Sequence, residues 1–501
     1  MKNVKLSSNV IYVLETLKSI GFEGYIVGGC VRDMLLGKTP NDWDVTTNAT
    51  PPQIMEIFPR TVDIGANHGT VGIVITRPAT HSTSISCPNG QPRNLAAAGS
   101  ANPLDEGFNP QSAMLTAPLK KEPSNIIELT TYRIDGEYTD NRRPEAVTFT
   151  PNLAEDLARR DFTINALAWD GSGEVIDLHG GLTDIENEII RCVGDANQRF
   201  QEDALRMLRA IRFAAQLGFA IEVETYNAIC ENAKLIQNIS AERIRMELDK
   251  ILLSDNTEHL KTIVDTGLGE FIFSEFVACF QTPQNTKYHL YNVGEHTLKA
   301  VASAPKNLNV RLAALLHDWG KTERRTTDDN GVDHFYGHAE VSVELARKFF
   351  NRLKYSNEIK DYVLPLVKEH DTQINPEKKA VKRAINRLLK AGVGDEVFLD
   401  LLDLKIADTL SQNPEYSTER RKLADELREI YFEIKRSGEA FTLADLAING
   451  RDLMDIGIPE GKAIGEILKQ LLDAVLETPH LNDRQTLIEM AGVMSELNSD
   501  S

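Results

Sequence analysis

Gly28-Gly29-Cys30-Val31-Arg32-Asp33 follows an apolar run and is followed closely by Asp42-Trp43-Asp44. Paired glycines let backbone N–H groups approach an anion closely, and a helix is predicted to begin at this point. Arg32 would add a charge-assisted hydrogen bond to a phosphate. Asp42 and Asp44 are two residues apart, which in a strand directs both carboxylates to one face, where they suit a divalent metal, most naturally Mg²⁺.

The residues near the two aspartates decide how the pair is interpreted. An Asp-x-Asp pair alone is most often part of a surface turn. A Gly-Gly loop, an arginine and a carboxylate pair, all within residues 28–44, favour a nucleotidyl-transfer site instead.

Three motifs resemble those of one known superfamily. They are GGCVRDMLLGKTPNDWDVTT at residues 28–47, DLARRDFTINAL at 156–167 and EDALRMLRAIRF at 202–213. Their types and order resemble the class II branch of the tRNA nucleotidyltransferase and bacterial poly(A) polymerase superfamily, bacterial type with an HD domain.

This resemblance implies an α+β fold, with an N-terminal polymerase-β-like nucleotidyltransferase palm followed by all-α neck, HD and C-terminal helical domains. The predicted bounds are 1–150 for the palm, 151–280 for a helical neck with base recognition, 281–412 for a metal-dependent phosphohydrolase-like HD domain, and 413–501 for a helical tRNA-binding region. Residues 77–125 are rich in Pro, Ser, Ala, Asn and Gly without any period, which predicts an irregular insertion in the palm.

The third motif also has a physical interpretation. Its apolar residues recur at helical spacing, which predicts an amphipathic helix over 202–216. Asp203, Arg206, Arg209 and Arg212 follow at i+3 steps along another stripe, a pattern that is usually a solvated charged face.

Base selection gives that stripe a second interpretation. Cytosine and adenine each present an amino donor beside a ring-nitrogen acceptor, which a carboxylate next to a guanidinium complements, whereas uracil and guanine reverse this order. The resemblance assigns this selection to Asp203 and Arg206, and the binding of triphosphate or primer phosphate to Arg209 and Arg212.

The reaction that the resemblance implies is attack of a tRNA 3′-hydroxyl on the α-phosphate of CTP or ATP, with release of pyrophosphate. Asp42 and Asp44 would hold two Mg²⁺ ions. Glu128, on an apolar strand, is the candidate for a third metal ligand, with a cross-strand ion pair as its alternative role. The remaining nucleotide-binding candidates are Gly29 and Arg32 in the first motif and Arg160 in the second.

A second group of metal-ligand residues lies further along the chain. An apolar helix ends in His317-Asp318, and further histidines and an aspartate lie on other predicted helices. The resemblance assigns His296, His317, Asp318 and Asp408 as shared ligands, with His338 and His370 as second-metal or phosphate contacts. Imidazole and carboxylate ligands favour a divalent transition metal, with Mg²⁺ as the alternative. The site would act as a phosphatase or 2′,3′-cyclic phosphodiesterase, or be retained only as a fold.

Composition restricts the class of protein. No apolar run is long enough to span a bilayer and the first residues are amphipathic, so we expect a cytoplasmic protein without a membrane partner. The five cysteines are scattered and suggest neither disulfides nor zinc. A net charge of −19 argues against nucleic acid, but arginines cluster around the proposed site, and the local field outweighs the total. The sequence leaves the oligomeric state open.

Two other functions remain open from sequence. A poly(A) polymerase would share the palm and the ED-x-x-R segment. A phosphohydrolase could instead carry a degenerate palm as an RNA-binding module. The expected partners of the favoured interpretation are tRNA, CTP and ATP.

Overall fold

The structure is a computed structural model, and it describes residues 6–40, 42–75, 126–136, 147–389, 392–437 and 442–499. The chain divides into two compact units. The first comprises residues 1–137 and 145–186, and the second comprises 138–144 and 187–501. The predicted insertion at 77–125 lies outside the described residues.

The first unit is a sheet flanked by short helices. Its strands are β1 (Gly24–Val27), β2 (Asp44–Thr47), β3 (Thr61–Gly65), β4 (Thr70–Val74), β5 (Ile126–Thr131), β6 (Arg133–Asp135), β7 (Val147–Phe149), β8 (Leu167–Trp169) and β9 (Ile176–Asp177). Its helices are α1 (Ser8–Ser19), α2 (Gly29–Leu35), α3 (Pro51–Ile57), α4 (Leu153–Ala158) and α5 (Gly181–Glu186). Seven strands form one sheet in the order β3-β4-β5-β2-β1-β8-β9, while β6 and β7 pair separately.

The centre of this sheet explains why the site forms where it does. Strands β2 and β5 are parallel neighbours, and Asp44 lies directly beside Glu128 in their register. Along β5, Ile127 and Leu129 point into the core while Glu128 is exposed, as the alternation of a strand requires. The core therefore occupies one face of the sheet, and the two carboxylates lie on the other.

The second unit is almost entirely helical. Its helices are α6 (Ala196–Glu202), α7 (Leu205–Leu217), α8 (Val223–Asn232), α9 (Ala241–Leu252), α10 (His259–Asp265), α11 (Gly269–Ile272), α12 (Ser274–Cys279), α13 (Val293–Ser303), α14 (Leu308–Leu316), α15 (Lys321–Arg324), α16 (His338–Arg352), α17 (Asn357–Glu369), α18 (Lys378–Leu388), α19 (Val397–Leu410), α20 (Ser417–Ser437), α21 (Gly450–Asp455), α22 (Lys462–Glu477) and α23 (Arg484–Ser499). Its short strands are β10 (Ile189–Ile190), β11 (Ala220–Ile221), β12 (Thr326–Thr327) and β13 (Asp333–His334).

The predicted fold class is confirmed, since an N-terminal sheet domain precedes a largely helical region. The domain bounds at 150, 280 and 412 stay predictions, because the division into two units does not separate the helical blocks of the second one. Within the described ranges, no helix combines the length and the apolar character that a membrane span requires.

Candidate functional site

Three carboxylates meet on one face of the sheet in the first unit, at its central strands. Asp44 opens β2, Glu128 lies beside it in β5, and Asp42 precedes β2 by two residues. The pKa of Glu128 is raised above its ordinary value because the protein partly removes water from its carboxylate and because Asp44 and Asp42 lie nearby. The structure thus brings together the three acidic residues that the sequence assigned to the palm.

The position of Asp42 has a different cause from the one expected. The strand begins at Asp44, so strand alternation does not orient Asp42. Instead, Trp43 packs against the core between the two aspartates. The Cys30 thiol donates to the Asp42 carbonyl at 3.0 Å and accepts from the Asp44 N–H at 3.1 Å. Burial raises the pKa of Cys30 to about 12, with Asp44 adding to the shift, so this sulfur remains a thiol that can donate.

Arg160 lies close to the carboxylates. The pKa of Asp44 is raised by the surrounding protein, and the positive charge of Arg160 opposes that shift. Gly28 adopts a φ of +73°, and a Cβ there would lie 3.1 Å from Arg160 Nη1. A side chain at position 28 would therefore be strained and would push Arg160 away from its place.

The Arg32 side chain, which follows the paired glycines in the chain, is buried. Its Nη1 donates to Asn165 Oδ1 at 2.7 Å, and its Nη2 donates to Asp33 Oδ1 at 2.7 Å. Asn165 in turn donates to Asp161 Oδ1 at 3.1 Å, which connects the first motif to the second. Arg32 therefore holds α2 against the second motif.

Asp156 is a site residue whose role was not predicted. It is fully buried, and its carboxylate accepts from Arg159 Nη2 at 2.6 Å and from Arg160 Nη2 at 3.2 Å. Although burial pushes its pKa upward, Arg160 and Arg159 outweigh that effect and lower the pKa of Asp156. The i+3 and i+4 spacing to two arginines was the sequence signal for this role.

In the second unit, the base-recognition motif is not one helix. Helix α6 ends at Glu202, Asp203 takes an extended conformation, and α7 begins at Leu205. The Asp203 carboxylate accepts from the Leu205 N–H at 3.1 Å and so closes the turn. This interruption arises because an aspartate competes for backbone N–H groups at a helix start.

Each member of the Asp203–Arg206 pair is held by a different neighbour. Arg243 on α9 donates to both Asp203 oxygens, at 2.8 and 3.3 Å. Arg206 donates to Glu202 Oε2 at 2.6 Å and to the Arg199 carbonyl at 3.2 Å. These contacts fix an acceptor, the Asp203 carboxylate, and a donor, the Arg206 guanidinium, where α6 ends and α7 begins.

The other two arginines of the stripe differ in their surroundings. Arg212 is buried, lies 4.0 Å from the centre of the Phe213 ring, and forms a 3.0 Å ion pair with Glu247 on α9. Arg209 is partly exposed and lies 5.5 Å from the same ring. Arg212 thus connects α7 to α9.

All six residues assigned to the second metal site form one cluster. His296 and Asp408 lie within α13 and α19, His338 begins α16, and His317-Asp318 and His370 follow the last residues of α14 and α17. Two triads can each offer ligand atoms to an ion, namely His296 with His317 and Asp408, and Asp318 with His338 and His370.

The Asp318 carboxylate lies between the two histidines of the first triad and the two histidines of its own triad. Its Oδ2 is 3.2 Å from both His296 Nε2 and His317 Nε2, and its Oδ1 is 3.3 Å from His338 Nε2 and 3.6 Å from His370 Nε2. His296 Nε2 is also 3.0 Å from Asp408 Oδ1. One carboxylate thus faces two sets of imidazoles.

The hydrogen bonds of the imidazoles show that this donor set fits metal. The Nδ1 atoms of His317, His338 and His370 lie 2.7–2.9 Å from backbone carbonyls, which can only accept, so these nitrogens carry the protons. His296 Nδ1 lies 2.8 Å from the Ser411 hydroxyl, which itself donates to the Asp408 carbonyl. In neutral imidazoles, the four Nε2 atoms therefore point lone pairs at one another and at carboxylates, an arrangement that a bound cation stabilises. Without a cation, Asp318 and Asp408 outweigh the effect of burial and raise the pKa of His317 to about 10.

Comparisons with known proteins identify the family. Family models match for the poly A polymerase head domain at residues 24–89 and 89–191, for a probable RNA- and SrmB-binding site of polymerase A at 218–280, and for a putative domain 2 of tRNA nucleotidyltransferase at 328–491. The CCA-adding enzyme of Limosilactobacillus fermentum is 34% identical over 96% of this chain and 95% of its own length. The chain belongs to the CCA-adding enzyme family.

Two further comparisons bear on the length of the match and on the fold. The chain is 41% identical to the CCA-adding enzyme of Geobacillus thermodenitrificans over 261 residues. This match covers 53% of that relative, so the chain spans about half of its length. The crystal structure of the Bacillus stearothermophilus CCA-adding enzyme in complex with CTP aligns over 98% of both chains, with a TM-score of 0.65 and 26% identity. A Thermotoga maritima CCA-adding enzyme complexed with tRNA shares the fold, with a TM-score of 0.51 and 19% identity.

Several residues that contact the two sites were not predicted from the sequence, because most of their partners are distant. Arg243 and Glu247 lie 40 and 35 positions from Asp203 and Arg212. Lys321 Nζ lies 2.7 Å from Asp318 Oδ2 and 2.8 Å from Gln284 Oε1. Charge alone does not reveal such pairings, although Lys321 follows Asp318 at a helical spacing of three.

Proposed function

We propose that this protein adds C, C and A to the 3′ end of tRNA from CTP and ATP without a nucleic-acid template. The observation that carries the proposal is the group of Asp42, Asp44 and Glu128 on one face of the sheet beside Arg160. The 26% identical relative that binds CTP and aligns over 98% of its chain supports it. Since tRNA is the substrate, we place the enzyme in the cytoplasm.

The reaction is an in-line displacement. An oxygen of the tRNA 3′-hydroxyl forms a bond to the α-phosphorus, the bond to the leaving pyrophosphate breaks, and the hydroxyl proton is lost to solvent or base. Asp42, Asp44 and Glu128 are the residues that would hold Mg²⁺, which supplies positive charge to the nucleophile and to the triphosphate when bound. Such a hard cation suits three neighbouring carboxylates, of which Asp42 raises the pKa of Asp44, and Asp44 and Asp42 raise the pKa of Glu128.

The chain's own cations would complete phosphate binding. Arg160, already close enough to influence the pKa of Asp44, has the reach and charge to contact the triphosphate. Gly29 and Arg32 stay predictions as nucleotide contacts, and the buried pairs of Arg32 with Asn165 and Asp33 give it a positioning role as well.

Selection of the base would use Asp203 and Arg206. The Asp203 carboxylate accepts from the amino group of cytosine or adenine, and the Arg206 guanidinium donates to the neighbouring ring nitrogen. Arg243 and Glu202 hold these two groups in a fixed order. Uracil and guanine would place like groups against each other, which leaves buried polar atoms unpaired and disfavours them.

The phosphate roles of Arg209 and Arg212 stay predictions. The ion pair of Arg212 with Glu247 favours a role in fixing α7 against α9, so that Asp203 and Arg206 keep their places. Arg209, the more exposed of the two, is the better candidate for contact with phosphate.

A single-nucleotide incubation tests the proposed reaction. Purified enzyme and tRNA lacking its 3′ CCA are mixed with CTP alone, with ATP alone, or with both, and the products are separated by length. We expect two C residues from CTP alone and one further A when ATP is added. Long A tracts from ATP alone would instead indicate a poly(A) polymerase, an alternative that the full-length matches to CCA-adding enzymes do not favour.

A second activity is favoured by the His-Asp cluster. Four imidazole lone pairs and two carboxylates, nearly all buried, are the donor set of a divalent transition metal, with Mg²⁺ as the alternative. We infer that this centre hydrolyses phosphate esters, for which the bound metal would supply an activated water and charge stabilisation. The alternative of a degenerate palm that only binds RNA is not favoured.

The Cys30 thiol gives a prediction for the first site. Cys30→Ala removes both hydrogen bonds that fix the Asp42–Asp44 bend, and we expect the kcat for C addition to fall about tenfold with little change in KM. Cys30→Ser keeps a donor and an acceptor and should retain more activity than Cys30→Ala. Single-turnover rates for both variants measure this, and equal losses in the two would contradict a hydrogen-bonding role.

A further inference from the structure

Four exposed or half-buried side chains form a surface on the loop after α12 and at the start of α20. The rings of Tyr288 and Tyr416 have centroids 5.0 Å apart at 70°. Lys287 Nζ lies 4.9 Å from the Tyr288 ring and 5.7 Å from the Tyr416 ring, and the Arg420 guanidinium lies 5.3 Å from the Tyr288 ring. We call Lys287, Tyr288, Tyr416 and Arg420 the aromatic–cationic surface.

This surface adjoins the His-Asp cluster. Gln412 donates to both Asp408 carboxylate oxygens, at 3.0 and 3.1 Å, and accepts from Arg420. On the other side, His289 follows Tyr288 directly, and its ring lies 4.9 Å from the ring of His296. Two separate connections therefore lead from the surface to ligands of the cluster.

The cluster is also most accessible on this side. The Asp408 side chain is 19% exposed, whereas His296 is fully buried and the Asp318 side chain is 2% exposed. A substrate that reaches the cluster past Asp408 would pass the aromatic–cationic surface.

Within the described part of the chain, the two cations of this surface have no carboxylate partner. The net charge is −19, yet among the residues that the structure describes neither Lys287 nor Arg420 forms an ion pair with a carboxylate. On the same helix as Arg420, Arg428 pairs with Asp403 and Lys435 with Asp395. Lys287 and Arg420 thus keep their charge available for an anion.

We propose that the aromatic–cationic surface binds the substrate of the His-Asp centre and that this substrate is a nucleoside phosphate. The inference rests on the hydrolytic function proposed for that centre. Tyr288 and Tyr416 would stack against the base, a contact that tolerates any base because each has a π face, and Lys287 with Arg420 would attract phosphate.

The step at the centre is hydrolysis of a phosphomonoester. A water oxygen forms a bond to phosphorus, the ester oxygen–phosphorus bond breaks, and the ester oxygen keeps the electron pair and takes a proton to become a hydroxyl. Free nucleotide and the 3′-phosphorylated end of an RNA share this chemistry, so both are substrates to compare.

The first experiment compares hydrolysis of adenosine 3′-monophosphate, a short RNA with a 3′-phosphate, and glycerol 2-phosphate. For Tyr288→Leu and Tyr416→Leu, we expect kcat/KM to fall about tenfold or more for the nucleoside substrates and to stay within twofold for glycerol 2-phosphate. For Arg420→Ala, which removes a charge that would attract any phosphate, we expect kcat/KM to fall for all three substrates. Tyr416→Phe keeps the ring and should retain activity. Arg421→Ala is the matched control, since Arg421 is an exposed neighbour on the same helix. Equal losses for all three substrates in Tyr288→Leu and Tyr416→Leu would overturn the inference.

A binding measurement separates this inference from the hydrolytic function. Equilibrium dialysis measures the affinity of adenosine 3′-monophosphate for full-length Asp318→Asn protein, and binding that is equal in the Tyr416→Leu variant is assigned to the other site. We expect affinity to drop about tenfold when Tyr416→Leu is added and to be unchanged when Arg421→Ala is added. If the wild type hydrolyses nothing but this drop is seen, the hydrolytic function fails and the binding surface stands. If hydrolysis is seen without any drop, the surface is wrong and the function stands.

Discussion

Asp44→Asn is expected to lower the rate of C addition by at least ~10³-fold, because it removes a charged ligand from the group that would hold the catalytic metal. Asp44 is flanked by Glu128 in the register and by Asp42 in the chain, so the asparagine would leave those two carboxylates with a weaker, incomplete ligand set. Single-turnover addition of C to tRNA lacking its CCA end measures the loss.

The control for this variant is a carboxylate of the same unit that is not part of the group of Asp42, Asp44 and Glu128. Glu56→Gln changes an exposed residue of α3 and should leave the rate within twofold. Melting temperature and tRNA affinity should be nearly unchanged in Asp44→Asn, because the residue is accessible to solvent and is not part of the core. A loss of less than about tenfold with intact folding would remove Asp44 from the metal site.

Asp318→Asn is expected to abolish phosphate-ester hydrolysis and metal binding at the second site, with a loss of at least ~10²-fold in each. The reason is that each of its oxygens faces a different triad, Oδ2 toward His296 and His317, and Oδ1 toward His338 and His370. Metal content of the purified protein and hydrolysis of adenosine 3′-monophosphate measure the two effects.

The same variant should add CCA at nearly the wild-type rate, and Asp44→Asn should still hydrolyse phosphate esters. Asp361→Asn, an exposed carboxylate of α17, is the control for a general effect of charge. If Asp318→Asn lost both activities while folded, the two sites would not be chemically independent. If Asp44→Asn lost hydrolysis, the second centre would not be the hydrolytic one.

The first site was largely predictable because its residues are close together in sequence. The Gly28–Asp44 stretch contains the glycine turn, Arg32 and two of the three carboxylates. Glu128 was suggested by strand alternation, but its place beside Asp44 depends on pairing of β2 with β5, which are separated by about eighty positions. Alternation gives the face of a residue, and only register gives its neighbour.

The neck shows what sequence patterns leave out. Residues 202–216 have helical periodicity, yet the chain leaves the helix at Asp203, because the carboxylate satisfies the Leu205 N–H. The partners of Asp203 and Arg212 are Arg243 and Glu247, which lie on α9, far along the chain. Until the packing is known, these charged residues cannot be told from those of any solvent-exposed helix face. Long-range ion pairs are set by tertiary packing rather than by local spacing.

The second cluster was predicted residue by residue from the resemblance, and the structure gathers all six side chains from five helical segments. What the sequence did not give is the position of Asp318 between two triads or the proton positions that leave four lone pairs facing inward. The proton positions follow from the carbonyls at helix ends, such as those of Ala314 and Val367, that accept from the Nδ1 atoms.

The central claim is that Asp203 and Arg206 choose the nucleotide, and Asp203→Asn tests it most directly. The substitution keeps the size of the side chain but replaces a charged acceptor with an amide that can donate to uracil. The measurement is the ratio of kcat/KM for CTP over UTP on tRNA lacking CCA. We predict that this ratio falls about 100-fold, mostly through loss of CTP use. An unchanged ratio in the folded variant would contradict selection of the base by this pair.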